Sequence, residues 1–175
     1  MGLDVYVYKD VEFIEVDEIV SDENEYYLLS KSGKRYEEDE FYSLYFNPHF
    51  PNQSKDIPST AFVYKSYDFS MRAGSYGGYN KWRCQLAELV GYGEIDKSQE
   101  ADMNAFKCTV GPFINLIRFS DCEGVISSTV SRQLASEFEM YEEQAKKQDV
   151  FFYNKYLEFK KVFEIASENG IVVFA

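Results

Sequence analysis

The sequence predicts an α+β protein, in which a small mixed or antiparallel sheet includes both terminal strands and about four helices pack against that sheet. Residues 2–8 alternate apolar and polar side chains, which is the period of a strand with one buried face. The chain ends in the short apolar run IVVFA, which also indicates a strand. After Tyr79 the apolar residues recur at helical spacing instead. A single sheet with helices on one face is the economical arrangement of these elements, and it brings the termini together.

Further strands are expected in the N-terminal half of the chain. Residues 11–16, 26–30 and 41–46 form β-branched and aromatic runs, which are separated by acidic stretches and a Ser-Gly turn signal. Residues 47–59, NPHFPNQSKDIPS, hold three of the four prolines. This segment should therefore cross the surface as an ordered but irregular loop.

Two helices are predicted between residues 79 and 120. The first begins near Tyr79 and ends at Gly91, which suits a left-handed C-cap. Trp82 shares a helical face with apolar residues one and two turns on, so we expect its ring in the core. The second helix is short, begins at Pro112 and ends near Ser120, and a loop is expected at 121–126.

Two longer helices are predicted after this loop. Ser127 or Ser128 can cap the third helix, which should run to about Lys147. The fourth helix should cover residues 150–168 and end at Asn169-Gly170.

Composition places the chain in the class of single globular domains, here 1–175. Hydrophobic residues make up 45% of the sequence, and there are 15 Tyr and 15 Phe, which excludes disordered and fibrous classes. Thirty acidic against 18 basic residues give a formal net charge of -12, which argues against direct binding to nucleic acids or anionic membranes. No apolar stretch approaches the ~20 residues of a membrane span. We therefore expect a soluble protein.

Cysteine and histidine usage indicates a cytoplasmic protein without a metal site. Cys84, Cys108 and Cys122 are odd in number and widely separated, and no export signal precedes them. The sequence has no CxxC pair and one histidine, His49, so a structural zinc ion would lack ligands. We expect neither a metal nor a cofactor.

The first candidate site is the glycine-rich segment RAGSYGGYNKWR at 72–83. Backbone amides at a helix N-terminus, exposed by glycines and flanked by Arg72 and Arg83, can hold an anion. The spacing matches no nucleotide-binding motif. The alternative, which we favour, is that Gly74, Gly77 and Gly78 make a tight turn while the aromatic residues pack.

The second candidate is the loop FSDCEGVI at 119–126. Asp121 and Glu123 could bind a cation, act as an acid and base pair, or raise the pKa of Cys122. A structural alternative is that Asp121 caps the local backbone and Glu123 pairs with an arginine. His49 could act as a general acid or base, although a packing role is more usual for a lone histidine, and no GxSxG motif supports a catalytic triad.

We predict that these two segments touch, because each carries the charge that the other lacks. Contact between Arg72 and Arg83 on one side and Asp121 and Glu123 on the other would lower the cost of burying either set alone. A polar cleft between the segments would then present the candidate ligand-binding residues, namely Arg72, Ser75, Tyr76, Asn80, Arg83, Asp121, Cys122 and Glu123.

Four sequence blocks resemble a family of uncharacterised proteins of bacteria and their phages. These blocks are the opening Gly-Leu-Asp-Val, NPHFP at 47–51, RAGSYGGYNKWR at 72–83 and PFINLIRFSDCEGVI at 112–126. The likeness extends to the final strand. It implies a bacterial or phage origin and no particular substrate, cofactor or catalytic residue.

The sequence leaves three classes of function open. We favour a non-enzymatic binding or adaptor protein with surface tyrosines as anchors, since no complete catalytic set is present. The alternative is a small-ligand-binding protein or enzyme that uses the polar cleft described above. A third reading, mimicry of DNA by the acidic surface, is opposed by the aromatic residues interleaved with the carboxylates. The oligomeric state and the order of the strands are not predicted.

Overall fold

A computed structural model describes residues 2–22, 25–92, 110–119 and 123–175 of the chain. These residues contain nine strands and four α-helices, which together form the α+β architecture that the sequence predicts. The strands are β1 (Gly2–Tyr8), β2 (Val16–Ser21), β3 (Tyr26–Ser30), β4 (Arg35–Glu37), β5 (Phe41–Ser43), β6 (Ala61–Val63), β7 (Phe69–Ser75), β8 (Gly124–Ser127) and β9 (Ile171–Phe174). The helices are α1 (Tyr76–Leu89), α2 (Ile114–Ile117), α3 (Ser128–Ala145) and α4 (Val150–Ala166), and a 3₁₀ turn covers Pro51–Gln53.

The central element is a four-stranded antiparallel sheet with the strand order β7-β1-β9-β8. The two terminal strands are neighbours, with Tyr6 opposite Val173. At their far end, the backbone N–H of Asp4 donates to the carbonyl oxygen of Ala175 over 2.9 Å. The prediction that both terminal strands lie in one sheet is confirmed.

Helices α1, α3 and α4 cover one face of this sheet. Leu3, Val5 and Val7 of β1 are buried in this layer, which explains the alternation in the first strand. The helices α3 and α4 run antiparallel, because Arg132 bonds to Ser167 while Glu142, farther along α3, bonds to the earlier Tyr153. Two caps predicted from the sequence are present. Ser127 Oγ accepts from the backbone N–H of Val130 at the start of α3, and Gly91, after the end of α1, has the positive φ of 81° that a left-handed C-cap requires.

Trp82 lies inside the helical layer, as predicted. Its side chain is 5% exposed, and its ring stacks 4.5 Å from the ring centre of Phe159 and 6.1 Å from that of Phe152. The indole Nε1 donates to the carbonyl oxygen of Phe152 over 3.4 Å. The helical face read from the sequence is therefore the core-facing one.

The opposite face of the sheet is covered by a second layer that the sequence did not predict. Tyr8, Val125 and Val173 pack against Phe62 of the β5–β6 hairpin. A small sheet in the order β2-β3-β4 packs farther out through Leu28. Three of these strands have three residues each, which is too few to show an alternation.

Three predictions about secondary structure are wrong. Residues 11–16 are not a strand, since β2 begins at Val16 and Phe13 makes only an isolated bridge. The expected loop at 121–126 contains the start of β8, whose four residues are all buried and so show no period of two. Gly77 and Gly78 do not form a turn but lie in the first turn of α1, which begins three residues earlier than predicted because Ser75 caps it.

Candidate functional site

The two segments predicted to touch do so through Arg83. Its side chain is 1% exposed, and Nη1 donates to the carbonyl oxygens of Ile117 at 2.9 Å and Phe119 at 3.0 Å. Nη2 donates to Asn80 Oδ1 at 2.8 Å. The two carbonyls belong to the C-terminal end of α2 and the residues after it, where a cation is favourable. Arg83 therefore fixes α2 to α1, and Asn80 orients the guanidinium.

The other candidates on the 72–83 segment lie in separate environments. Arg72 is exposed on β7, with its guanidinium against Gly2. Ser75 Oγ accepts from the backbone N–H of Gly78 over 3.1 Å and serves as the N-cap of α1. Tyr76 is exposed at the first residue of the helix. The structure thus assigns Ser75 a local structural role and places Arg72 and Arg83 apart from each other.

Only part of the second candidate segment can be located. Asp121 and Cys122 lie outside the described residues. Glu123 is exposed, and its carbonyl oxygen accepts from Asn47 Nδ2 over 2.8 Å. Burial, together with the charges of the neighbouring Tyr6 and Glu123, raises the pKa of the Tyr42 hydroxyl.

The predicted pairing of Glu123 with an arginine is not observed in the described part of the chain. The ion pairs formed there do not join Glu123 to Arg72, Arg83 or Arg118. Arg83 is instead bound by backbone carbonyls, which a sequence pattern does not reveal. The predicted contact is therefore present without a Glu123–arginine pair, and the predicted pairing with Asp121 falls outside the described residues.

The proline-rich loop 47–59 runs along the outer edge of β8. Its Asn47 side chain bonds next to β8 at one end, as described above. At the other end, burial would raise the pKa of Asp56, but hydrogen bonds from Ser127 and Thr129 outweigh burial and hold this pKa below its ordinary value. The loop therefore covers the outer backbone edge of β8, and this protects the strand from pairing with other chains.

Helix α2 has one turn, and its neighbours hold it in place. Phe113, the residue before it, has a φ of 57°, and its backbone N–H donates to the Glu137 carboxylate over 2.7 Å. Burial raises the pKa of this carboxyl group. Asn115 Nδ2 donates to Gln133 Oε1 over 3.3 Å. With α1 holding its other end, α2 is a fixed wall that positions its outward side chains.

A cleft of about 250 Å³ lies between the proline-rich loop and α2, and we refer to it as the loop–α2 cleft. Its polar lining comes from His49, Asn52, Gln53, Asn115 and Arg118, and its apolar lining includes Phe50 and Ile114. Pro51 begins the 3₁₀ turn that places the loop residues, and the ring of Phe50 anchors that turn 5.2 Å from the ring centre of Phe119.

The loop–α2 cleft combines a cation with several hydrogen-bonding groups. Arg118 and His49 are exposed at its surface, and the backbone N–H of His49 donates to Asn47 Oδ1 over 3.0 Å, which fixes the loop here. The Gln53 side chain is 5% exposed, and its Nε2 donates to the carbonyl oxygen of Asn115 over 3.3 Å. No donor in the described part of the chain reaches Gln53 Oε1. A donor from water or a ligand would stabilise this acceptor by roughly 1–3 kcal/mol.

The side chains that line the cleft are of types that can bind an anion. A guanidinium recognises carboxylate or phosphate oxygens through two parallel hydrogen bonds, and side-chain amides and an imidazole can add further donors. At about 250 Å³ the cleft lies just below the usual range of roughly 300–1,000 Å³ for small-molecule pockets, so its size suits a ligand of few atoms. The cleft is therefore the candidate functional site.

Sequence reasoning missed most of this site. Gln53, Asn115 and Arg118 were not candidates for ligand binding, and His49 was considered only as an acid or base. The signal available in the sequence was the two blocks NPHFP and PFINLIRF. Each block contains a polar residue that neither helical nor strand periodicity accounts for. These residues are far apart along the chain, so only the packing of the loop on α2 brings them together.

Among the described residues, no group of three or more His, Cys, Asp and Glu side chains is arranged to hold a metal ion. None of the helices in that part of the chain combines the length and the apolar character needed to cross a bilayer.

No protein-family model, curated protein or solved structure matches the chain, so the resemblance to a bacterial and phage family stays a prediction from its sequence blocks.

Proposed function

We propose that this chain is a non-enzymatic binding protein for a small anionic molecule, which it holds in the loop–α2 cleft. The convergence of Arg118, His49 and three side-chain amides on one concave surface carries this proposal. It belongs to the small-ligand class considered from the sequence, but it places the ligand on the outer side of α2 rather than between the predicted segments.

The ligand should bear a carboxylate or phosphate group and at least one hydrogen-bond donor. Arg118 would bind the anionic group through two hydrogen bonds, which is the strong and geometrically specific mode for a guanidinium. A hydroxyl or N–H group deeper in the cleft would satisfy Gln53 Oε1. The net charge of -12 repels anions at long range, so a site with local positive charge is where an anion can be selected.

A binding role fits the rigidity of the cleft better than a catalytic one. Both of its walls are held by hydrogen bonds to neighbouring elements, which lowers the cost of ordering the site when a ligand binds. His49 is the single imidazole of the chain, and its described neighbours in the cleft supply amides and a guanidinium, which neither activate a nucleophile nor take up a proton at neutral pH.

The proposal is tested by calorimetric titration at low ionic strength with orthophosphate, citrate and adenosine monophosphate. Two variants that lose one exposed guanidinium each are compared: Arg118→Gln removes it from the cleft, and Arg72→Gln removes it from β7 as a matched control. Loss of a charge-assisted pair should weaken binding about tenfold or more. We expect saturable binding of at least one probe, weakened in Arg118→Gln and unchanged in Arg72→Gln. The phosphate and carboxylate probes distinguish the two kinds of anion.

Two results would overturn the proposal. The first is that none of the three probes binds with saturation to the wild type. The second is that Arg118→Gln and Arg72→Gln reduce binding equally, because the effect would then reflect net charge and not a site.

We also propose that the chain forms one domain over 1–175, acts in the cytoplasm of a bacterium or as a phage product, and does not contact nucleic acid directly. The sequence blocks support the origin, the odd number of cysteines supports the compartment, and the acidic composition argues against phosphate-backbone binding.

A further inference from the structure

The outward face of the central sheet carries a group of tyrosines that the proposed function does not use. The ring of Tyr6 on β1 lies 5.5 Å from that of Tyr67, measured between ring centres. The rings of Tyr42 and Tyr64 are 6.2 Å apart, and they contact the ring of Tyr8 at 5.6 and 6.2 Å. Tyr6, Tyr42 and Tyr64 all pack on the apolar cluster that contains Tyr8. We refer to these five residues as the tyrosine patch.

The tyrosine patch is open to solvent on one side. Tyr8 is 4% exposed and lies beneath the others, whereas Tyr67 is 47% exposed and the remaining three are half-buried. Burial raises the pKa of the Tyr8 and Tyr42 hydroxyls, so these phenols stay uncharged well above neutral pH. Exposed tyrosine rings are enriched at protein interfaces, where they combine apolar area with a hydrogen-bonding group.

Two carboxylates border the tyrosine patch. Val125 of β8 packs against the β5–β6 hairpin, and Glu123 lies two residues before it, so both side chains belong to the outward face of the sheet. Asp4 precedes Tyr6 by two residues on β1 and shares that face for the same reason. The charge of Glu123 also contributes to the raised pKa of the Tyr42 hydroxyl. The patch is therefore a set of aromatic rings flanked by negative charge.

The nearest cations of the chain are directed elsewhere. Arg72 on β7 has its guanidinium against Gly2, which lies four residues before Tyr6 along β1. Lys65 lines a pocket of about 80 Å³ with residues 9–12, which follow β1 and include two carboxylates. Neither of the two carboxylates that border the patch takes part in an ion pair within the described residues. Their charge is therefore available to a partner.

A basic partner segment complements this surface. A guanidinium stacks on aromatic faces and also pairs with carboxylates, and the formal net charge of -12 attracts cationic partners at long range. The rings and carboxylates come from β1, the β5–β6 hairpin, the segment after it and the start of β8. With Tyr67 nearly half exposed, the patch does not enclose a small cation as a ligand pocket would, so its breadth favours a protein segment.

We propose that the tyrosine patch binds a basic segment of a partner protein, in which an arginine side chain lies on the rings of Tyr6 and Tyr67 and a second basic residue faces Glu123. This interaction is separate from anion binding in the loop–α2 cleft. A free organic cation and a second copy of the chain are the competing occupants, and repulsion between two strongly acidic copies disfavours the second copy.

Selection from a phage-displayed library of random decapeptides at physiological ionic strength tests this proposal. Peptides are selected on the wild type and counter-selected on Tyr67→Ser, and an enriched peptide is synthesised and titrated by fluorescence anisotropy. We expect this peptide to contain an arginine and a second basic residue. Its binding should weaken about tenfold in Tyr67→Ser and about threefold in Glu123→Gln.

Two variants serve as matched controls. Tyr67 precedes β7, and Tyr76→Ser removes a tyrosine of similar exposure, 39%, that follows the opposite end of this strand. Glu18→Gln removes one exposed carboxylate from β2. Both controls should bind the peptide within about twofold of the wild type, since a general attraction of basic peptides to an acidic chain would not distinguish them from the patch variants.

Amide chemical shifts locate the bound peptide, and we expect the largest changes at residues 4–8, at Tyr42 and at residues 64–67. Failure to enrich basic peptides, or an equal loss of binding in the patch variants and their matched controls, would overturn the proposal. Binding of arginine amide or tetramethylammonium as tightly as the peptide would assign the patch to a small cation. Self-association of the wild type that Tyr67→Ser abolishes would assign it to a second copy, and either result would also overturn the proposal.

Discussion

Replacement of Arg83 tests how the candidate site is held. The change Arg83→Met keeps an unbranched stem that reaches about as far as Nε but removes a buried guanidinium that donates to Ile117 O, Phe119 O and Asn80 Oδ1. Three buried acceptors left without a donor cost about 1–3 kcal/mol each. Removal of the buried charge offsets part of this sum, since its desolvation was itself unfavourable, and we expect a net loss of about 3–5 kcal/mol.

The assay is guanidinium chloride unfolding followed by the fluorescence of the single tryptophan, Trp82, which lies next to the mutated residue. Arg132→Met is the control, because Arg132 also donates to a backbone carbonyl, that of Ser167 at 2.9 Å, but is exposed. The control should lose about 1 kcal/mol or less. If Arg83→Met also lost no more than about 1 kcal/mol, Arg83 would not hold α2 and the reasoning would be refuted.

Two further predictions concern stability. Trp82→Ala should lower the free energy of unfolding by about 3–5 kcal/mol, because the ring is buried between aromatic residues, and a thermal melt unchanged from the wild type would show that the ring is not core. The second concerns Glu142, whose pKa is lowered from 4.5 to about 2 by hydrogen bonds from Lys160 at 2.6 Å and Lys146 at 3.2 Å. A carboxyl group whose pKa is lowered in the folded state stabilises the protein above its ordinary pKa, and this stabilisation is lost as the pH falls. Because solvent screens the ion pairs, the wild type should be more stable than Glu142→Gln by only about 1 kcal/mol at neutral pH. This advantage should shrink between pH 4.5 and 2. Denaturant unfolding across this range checks it, and an advantage that grew on acidification would contradict the sign.

Elements with a strong periodicity were predictable from the sequence. β1 alternates because one face packs on the helices, and α3 and α4 carry long apolar stripes between recognisable caps. β8 was missed because both of its faces are buried, under the helices on one side and the hairpin on the other, so no alternation remains. The segment β7 does alternate, with Met71 and Ala73 inward, but its small and polar residues have weak strand propensity.

The site was less predictable than the fold for a physical reason. Arg83 was chosen because glycines and a second arginine surround it in sequence, yet its partners are backbone carbonyls that have no sequence signature. Arg118 and Gln53 come together only because an irregular loop covers an edge strand and meets a one-turn helix. Such loops are specified by many weak contacts rather than by a period, so their side chains cannot be placed from sequence alone.

The central claim is that the loop–α2 cleft binds a small anion, and side-chain NMR during a titration with citrate and then with orthophosphate tests it most directly. The guanidinium Nε–H of Arg118 and the side-chain amides of Gln53 and Asn115 report from inside the cleft. We predict that these signals shift with one common saturation curve for at least one of the two anions, while the Nε–H signal of the exposed Arg72 does not follow it. Shifts that rise linearly without saturation, or that are largest at Arg72, would contradict the claim.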